Sequence, residues 1–180
     1  ADVLALASHY TRDKFVLVGH DWGGAVAWSV AISQPARLSR LIMLNSPHPY
    51  VFWRELCENP AQQKASAYMT LFRLPKAERV LAENGYARLL GWFPEADEDW
   101  RKALVEAWSQ PGALTGGLNY YRASPLYPPT NGDAGPRKLQ LKPQDFVVRV
   151  PTLVLWGERD PALLTGCLDG LEAVVPDMKL

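Results

Sequence analysis

Cysteine and histidine are the scarce residues of this 180-residue chain, which has two of the first and three of the second. Cys57 and Cys167 lie far apart and outside any metal-ligand spacing, so they read as free thiols in a reducing, cytoplasmic setting. With no His-x-x-x-His and no Cys-x-x-Cys, no metal is expected. Excess charge is missing too: Lys plus Arg and Asp plus Glu number 19 each, and nothing favours capture of nucleic acid or an anionic membrane. The longest apolar stretch, Ala25 to Ile32, falls short of the ~20 residues of a membrane helix, so no membrane span is expected. No cationic start leads into an apolar core, as a signal peptide would require. A Gly-x-Gly-x-x-Gly dinucleotide fingerprint is also lacking, and no cofactor is expected.

What is present is a concentrated signal near the start. The apolar run Phe15 to Val18 stops at Gly19-His20-Asp21-Trp22-Gly23-Gly24, and Ala25 to Ile32 then reads as an Ala-rich helix. This is a strand, a sharp turn and a helix with an ionisable side chain at the apex, the arrangement of a nucleophile elbow. Small residues on both sides let strand and helix approach, with Gly19 and Gly23 in the flanking positions and Gly24 giving more room. Asp21 could instead cap the helix, but the flanking glycines and the apolar strand favour the elbow. A carboxylate placed there attacks carbon and becomes an ester, so its targets are strained or activated alkyl carbons.

The pattern elsewhere is α/β. A helix over Asp2 to Tyr10 precedes the first strand, and Leu38 to Leu44 is the next strand, which makes a parallel βαβ unit. The near-continuous apolar character of both strands fits a sheet covered on both faces. From Tyr50 to about Ala123 the pattern is helical, with segments Ala61 to Arg73, Lys76 to Gly91, Glu95 to Gln110 and Ala113 to Ala123. Leu126 to Lys142 reads as loop, Thr152 to Trp156 as a third buried strand, and Leu163 to Val174 as a last helix. The expected organisation is a core segment over 1–46, a helical cap or lid over 47–143, and a second core segment over 144–180. The chain starts inside a helical pattern without Met and stops as an apolar segment begins, so it reads as a piece of something longer.

Open parallel sheets carry their functional groups at strand ends. Two acids fall there: Asp21, and Asp160 after the third strand. The order nucleophile then acid suits a group that orients an imidazole, although Asp160 could also be a solvated turn residue before Pro161. Two tyrosines lie on apolar helix faces of the cap, Tyr68 with Ala65 and Phe72, Tyr121 with Leu114 and Leu118. Each could be core, yet together above a carboxylate they would be proton donors to an oxygen leaving group. Seven Trp and seven Tyr, several in the cap, suggest an apolar pocket.

Three segments together, Gly19-His20-Asp21-Trp22-Gly23-Gly24, Asn119-Tyr120-Tyr121-Arg122 and Trp156-Gly157-Glu158-Arg159-Asp160, resemble the epoxide hydrolases of the α/β-hydrolase fold. The elbow motif is shared with haloalkane dehalogenases, whereas the positions of Tyr68 and Tyr121 match the paired lid tyrosines of epoxide hydrolases. The resemblance implies Asp21 as nucleophile, Tyr68 and Tyr121 as activators of the epoxide oxygen, and Asp160 as the third triad member. Trp22 would give its backbone N–H to an oxyanion hole, where dehalogenases use tryptophan to hold halide; it could also simply pack over the elbow. The implied partner is a small apolar epoxide; quaternary state is not legible. Two departures stand out. The family's histidine follows the acid by one further strand, and its His-Gly-x-Pro loop precedes the elbow; neither lies in this chain, and His9, His20 and His48 do not match the base position. The rival expectations are a dehalogenase using the same Asp, and a non-catalytic hydrolase-fold binding protein.

Overall fold

A computed structural model describes residues 2–180. Helix α1 (Asp2–Tyr10) leads into strand β1 (Phe15–His20), helix α2 (Asp21–Ser33) and strand β2 (Leu38–Leu44). The chain then leaves the sheet for helices α3 (Pro49–Glu58), α4 (Pro60–Ala65), α5 (Tyr68–Phe72), α6 (Ala77–Leu90), α7 (Glu98–Ser109) and α8 (Ala113–Ala123). It returns as β3 (Thr152–Leu155) and ends on β4 (Met178–Lys179). The four strands lie in the order β1-β2-β3-β4, and all three pairings are parallel. The ends of β1, β2 and β3 therefore point the same way, under the helices inserted between β2 and β3.

One core joins the sheet to α2. Trp28, Ala27 and Ala31 from the helix pack on Leu41, Met43 and Val154 from the strands, all buried. Burial of this kind contributes about 1.5–3 kcal/mol per large side chain. A second, smaller core lies inside the helical layer, where Phe72, Leu81, Leu89 and Leu118 meet Tyr68 and Tyr121.

Several expectations are corrected. Among the described residues, Val16, Val18, Leu153 and Leu155 of the sheet are exposed, Val18 by 57%. The helix expected over Ala61 to Arg73 is two helices, because the chain tightens to i→i−3 bonding through Ser66 and Ala67 (Ala67 N to Lys64 O, Met69 N to Ser66 O, Thr70 N to Ala67 O). The span expected as continuous helix from Lys76 to Gly91 breaks at Asn84 and Gly85, both left-handed, a turn dipeptide overlooked in the periodicity. Expected helix Leu163 to Val174 forms only short 3₁₀ turns at Thr165–Leu168 and Leu171–Ala173. There the backbone leaves helical geometry at Leu164 and Asp169, both extended, and at Gly170, left-handed at φ +70°.

Candidate active site

Strand β1 runs into α2 with no loop between them, and the junction is Asp21. Its φ is +51°, a left-handed conformation that non-glycine residues rarely adopt and that surrounding structure must hold in place. Ser46, just past β2, supplies part of that hold: its Oγ donates to the Asp21 carbonyl at 2.9 Å. The tight approach is made by Gly19 and Gly24. A Cβ on Gly19 would lie 2.7 Å from the Gly24 Cα, and one on Gly24 would lie 2.3 Å from the Ser46 Cβ. The expectation for Gly23 is corrected, because a Cβ there would meet nothing within 4 Å. Asp21 is not the helix cap either; His20 holds the N-cap position, without a side-chain bond.

Asp21 lines a cavity of about 90 Å³ together with Trp22, Tyr68 and Tyr121, with Phe52, Met69, Leu126 and Leu163 around them. Four of the five expected site residues thus share one space, assembled from a strand end and two inserted helices. Tyr68 opens α5 and Tyr121 lies near the end of α8; their rings meet edge to face at 5.9 Å. Trp22 stands edge to face with Tyr121 at 5.1 Å. Burial pushes the Tyr68 phenol well above the ordinary tyrosine range, helped by Tyr121 and the nearby Asp21 charge, and burial raises Tyr121 too. Both phenols therefore keep their protons and can donate.

Asp160 lies outside that cavity. It borders a separate open cleft with Asn45, Trp156 and Gly157, at the end of β3. Its Oδ1 accepts from the Ala162 and Leu163 amides at 2.8 and 3.0 Å, and its Oδ2 accepts from Asn45 Nδ2 at 2.8 Å.

The sequence reading missed four residues that hold this arrangement. Asn45, left-handed at φ +36°, ties the ends of β2 and β3: it donates to Asp160 and accepts from the Gly157 N–H at 2.8 Å. Gln62, fully buried on α4, donates to Ser66 Oγ and the Ala162 carbonyl and accepts from Leu164, pinning the segment that carries Leu163. His48, 1% exposed, donates from Nε2 to the Phe146 carbonyl at 3.0 Å and joins the two stretches of chain that leave and re-enter the sheet. Burial lowers its pKa to about 4, against the raising effect of that bond. Arg73 gathers carbonyls at the end of α8. Of these, only Asn45 carries a local signal, since Asn at a strand end tolerates a left-handed turn.

Comparison with known proteins agrees with the geometry. The alpha/beta hydrolase fold profile matches residues 1–166, and the chain belongs to that family. Several of its relatives within that family are named epoxide hydrolases. The chain is 35% identical over 176 residues to epoxide hydrolase 4 of Homo sapiens, covering 88% of this chain and 44% of that protein. It is 37% identical over 169 residues to the AB hydrolase superfamily protein YfhM of Bacillus subtilis, covering 88% and 54%. Among solved structures, an epoxide hydrolase from hot-environment metagenomes superposes with a TM-score of 0.83 at 36% identity, over 99% of this chain and 62% of that one. A Bacillus megaterium epoxide hydrolase bound to an inhibitor gives 0.82 at 30%, over 99% and 64%. The chain spans about half the length of the curated relatives it matches. No helix among the described residues is long and apolar enough to cross a membrane.

Proposed function

We propose that this chain carries the nucleophile, the proton donors and the triad acid of an enzyme that hydrolyses small apolar epoxides to vicinal diols through an ester on Asp21. The observation that carries the reading is one apolar cavity lined by an aspartate at a strained strand-to-helix turn and by two protonated phenols. An Asp21 oxygen bonds to an epoxide carbon while the ring C–O bond breaks, and Tyr68 and Tyr121 donate to the departing oxygen. Strain drives the opening, but an alkoxide leaves poorly without such acid help. Water then attacks the ester carbonyl, the Trp22 backbone N–H supports the oxyanion, and the diol departs. The base for that water is a histidine steered by Asp160. His48 does not serve, being buried and bonded to Phe146, and the family resemblance puts the base beyond Leu180. The helices between β2 and β3 act as the cap.

In the complete protein, with styrene oxide as substrate, Asp21→Asn should abolish diol formation. Tyr68→Phe and Tyr121→Phe should each lower kcat by ~10²–10⁴-fold. Full activity of Asp21→Asn without deamidation would remove the nucleophile. Halide release from a haloalkane, indifferent to both phenylalanine changes, would put a dehalogenase in its place.

A further inference from the structure

The motif Asn119-Tyr120-Tyr121-Arg122 contains an arginine for which the chemistry above has no use. Arg122 forms a bidentate pair with Glu78 (Nη1 to Oε1 2.6 Å, Nη2 to Oε2 2.7 Å) and also donates from Nη2 to the Leu74 carbonyl at 3.0 Å. Leu74 belongs to the joint between α5 and α6. From the other side, Arg73 at the end of α5 donates from Nη1 to the Tyr121, Arg122 and Ser124 carbonyls, the last at 2.9 Å. Those are carbonyls at the end of α8 that the helix leaves unpaired or half-paired, and a cation suits the negative end of the helix dipole. The Arg73 guanidinium also stacks on Tyr127, its carbon 3.7 Å from the ring centroid.

We infer that Arg73 and Arg122 form a reciprocal clamp, Arg73 reaching from the end of α5 to the Tyr121 backbone and Arg122 from α8 to the turn that follows α5, and that they are positioning residues for Tyr68 and Tyr121. Arg73 follows Tyr68 by five positions and holds the Tyr121 carbonyl; Arg122 follows Tyr121 directly and holds the carbonyl of Leu74, next to Arg73. The two helices are short, α5 having five residues, and a five-residue helix has little stability of its own. The clamp supplies what helix length does not. Arginine suits the task because one planar fork can meet several acceptors and a ring face at once, which a lysine ammonium cannot. The inference rests on the epoxide reading for its functional half only.

The test uses the complete protein with styrene oxide, in a cycle of wild type, Arg73→Met, Tyr121→Phe and the double variant. Arg73→Met should lower kcat by about 10- to 100-fold with little change in KM, since misplacing a catalytic group by about 1 Å costs on that order. In the Tyr121→Phe background the same change should cost clearly less than in wild type, because only Tyr68 is then left to be misplaced. Arg73→Lys should fall between. An equal loss in both backgrounds, or none in either, overturns the clamp. Arg122→Gln, on the more exposed side, is read in the same cycle should Arg73→Met fail to fold. A crystal structure of either arginine variant tests the clamp without any substrate: the Tyr68 and Tyr121 rings should part beyond their 5.9 Å separation, and unmoved rings overturn the clamp. Absence of diol from the wild type, or full activity of Tyr121→Phe, overturns the epoxide reading instead, and the ring separation in the variant crystals still decides for or against the clamp.

Discussion

At Gly19 the limit on side-chain size is set by backbone. An added methyl would press on the Gly24 Cα and the Ala27 Cβ at 2.7 and 2.8 Å, neither of which can swing away. Gly19→Ala should therefore destabilise the complete protein by about 1–3 kcal/mol, the usual cost of overpacking. Gly23→Ala, two helical positions after Asp21 and facing open space, should be neutral or stabilise by up to about 1 kcal/mol through helix propensity. Denaturant unfolding of the two variants checks the contrast, and equal losses would deny that Gly19 and Gly24 set the approach. Asp21 was legible because its surroundings are contiguous in sequence, an apolar strand and small residues within ten positions. Which glycine bears the contact was not, because the contact partner of Gly24 is Ser46, at the end of the next strand.

Among the elements, the joint where the helical layer meets the sheet depends on a neutral imidazole. His48 lies between Trp28 and Phe146, with ring centroids 5.1 and 6.5 Å away, and its Nδ1 has no partner. Its folded pKa of about 4 is below the 6.5 of an exposed histidine, so the unfolded chain binds the extra proton first as pH falls. Stability contributed by the neutral ring is complete above about pH 6.5 and is lost progressively down to about pH 4. Between pH 7 and pH 5 this group alone should cost about 2 kcal/mol. His48→Asn should flatten that slope in urea unfolding at the two pH values, and an unchanged slope would assign the acid sensitivity elsewhere. Helices and strands were mostly legible from periodicity. The helix expected over 163–174 does not form because Leu164 and Asp169 are extended and Gly170 is left-handed; Gln62, far away in sequence, holds the Leu164 N–H, and local pattern carries no trace of that.

For the molecule as a whole, a parallel α/β sheet with a helical insertion was readable from the strand, turn and helix signals, and the α/β-hydrolase fold from the resemblance carried by three short motifs. The candidate cavity was readable through Tyr121, embedded in Asn119-Tyr120-Tyr121-Arg122, and through Tyr68 by its place on an apolar helix face. The residues that fix its shape, Arg73, Gln62 and His48, were not, since each holds a partner 48 to 102 positions away. Asp160 occupies a neighbouring cleft, as suits an acid that acts through another group and not on the substrate. The central claim is that an oxygen of Asp21 itself bonds to substrate. A single turnover in ¹⁸O-water, with the complete protein in excess over styrene oxide, tests it most directly. The account predicts an unlabelled diol and ¹⁸O in the Asp21 peptide by mass spectrometry. Labelled diol in that first turnover, with an unlabelled Asp21 peptide, would mean that water opens the ring directly and would contradict it.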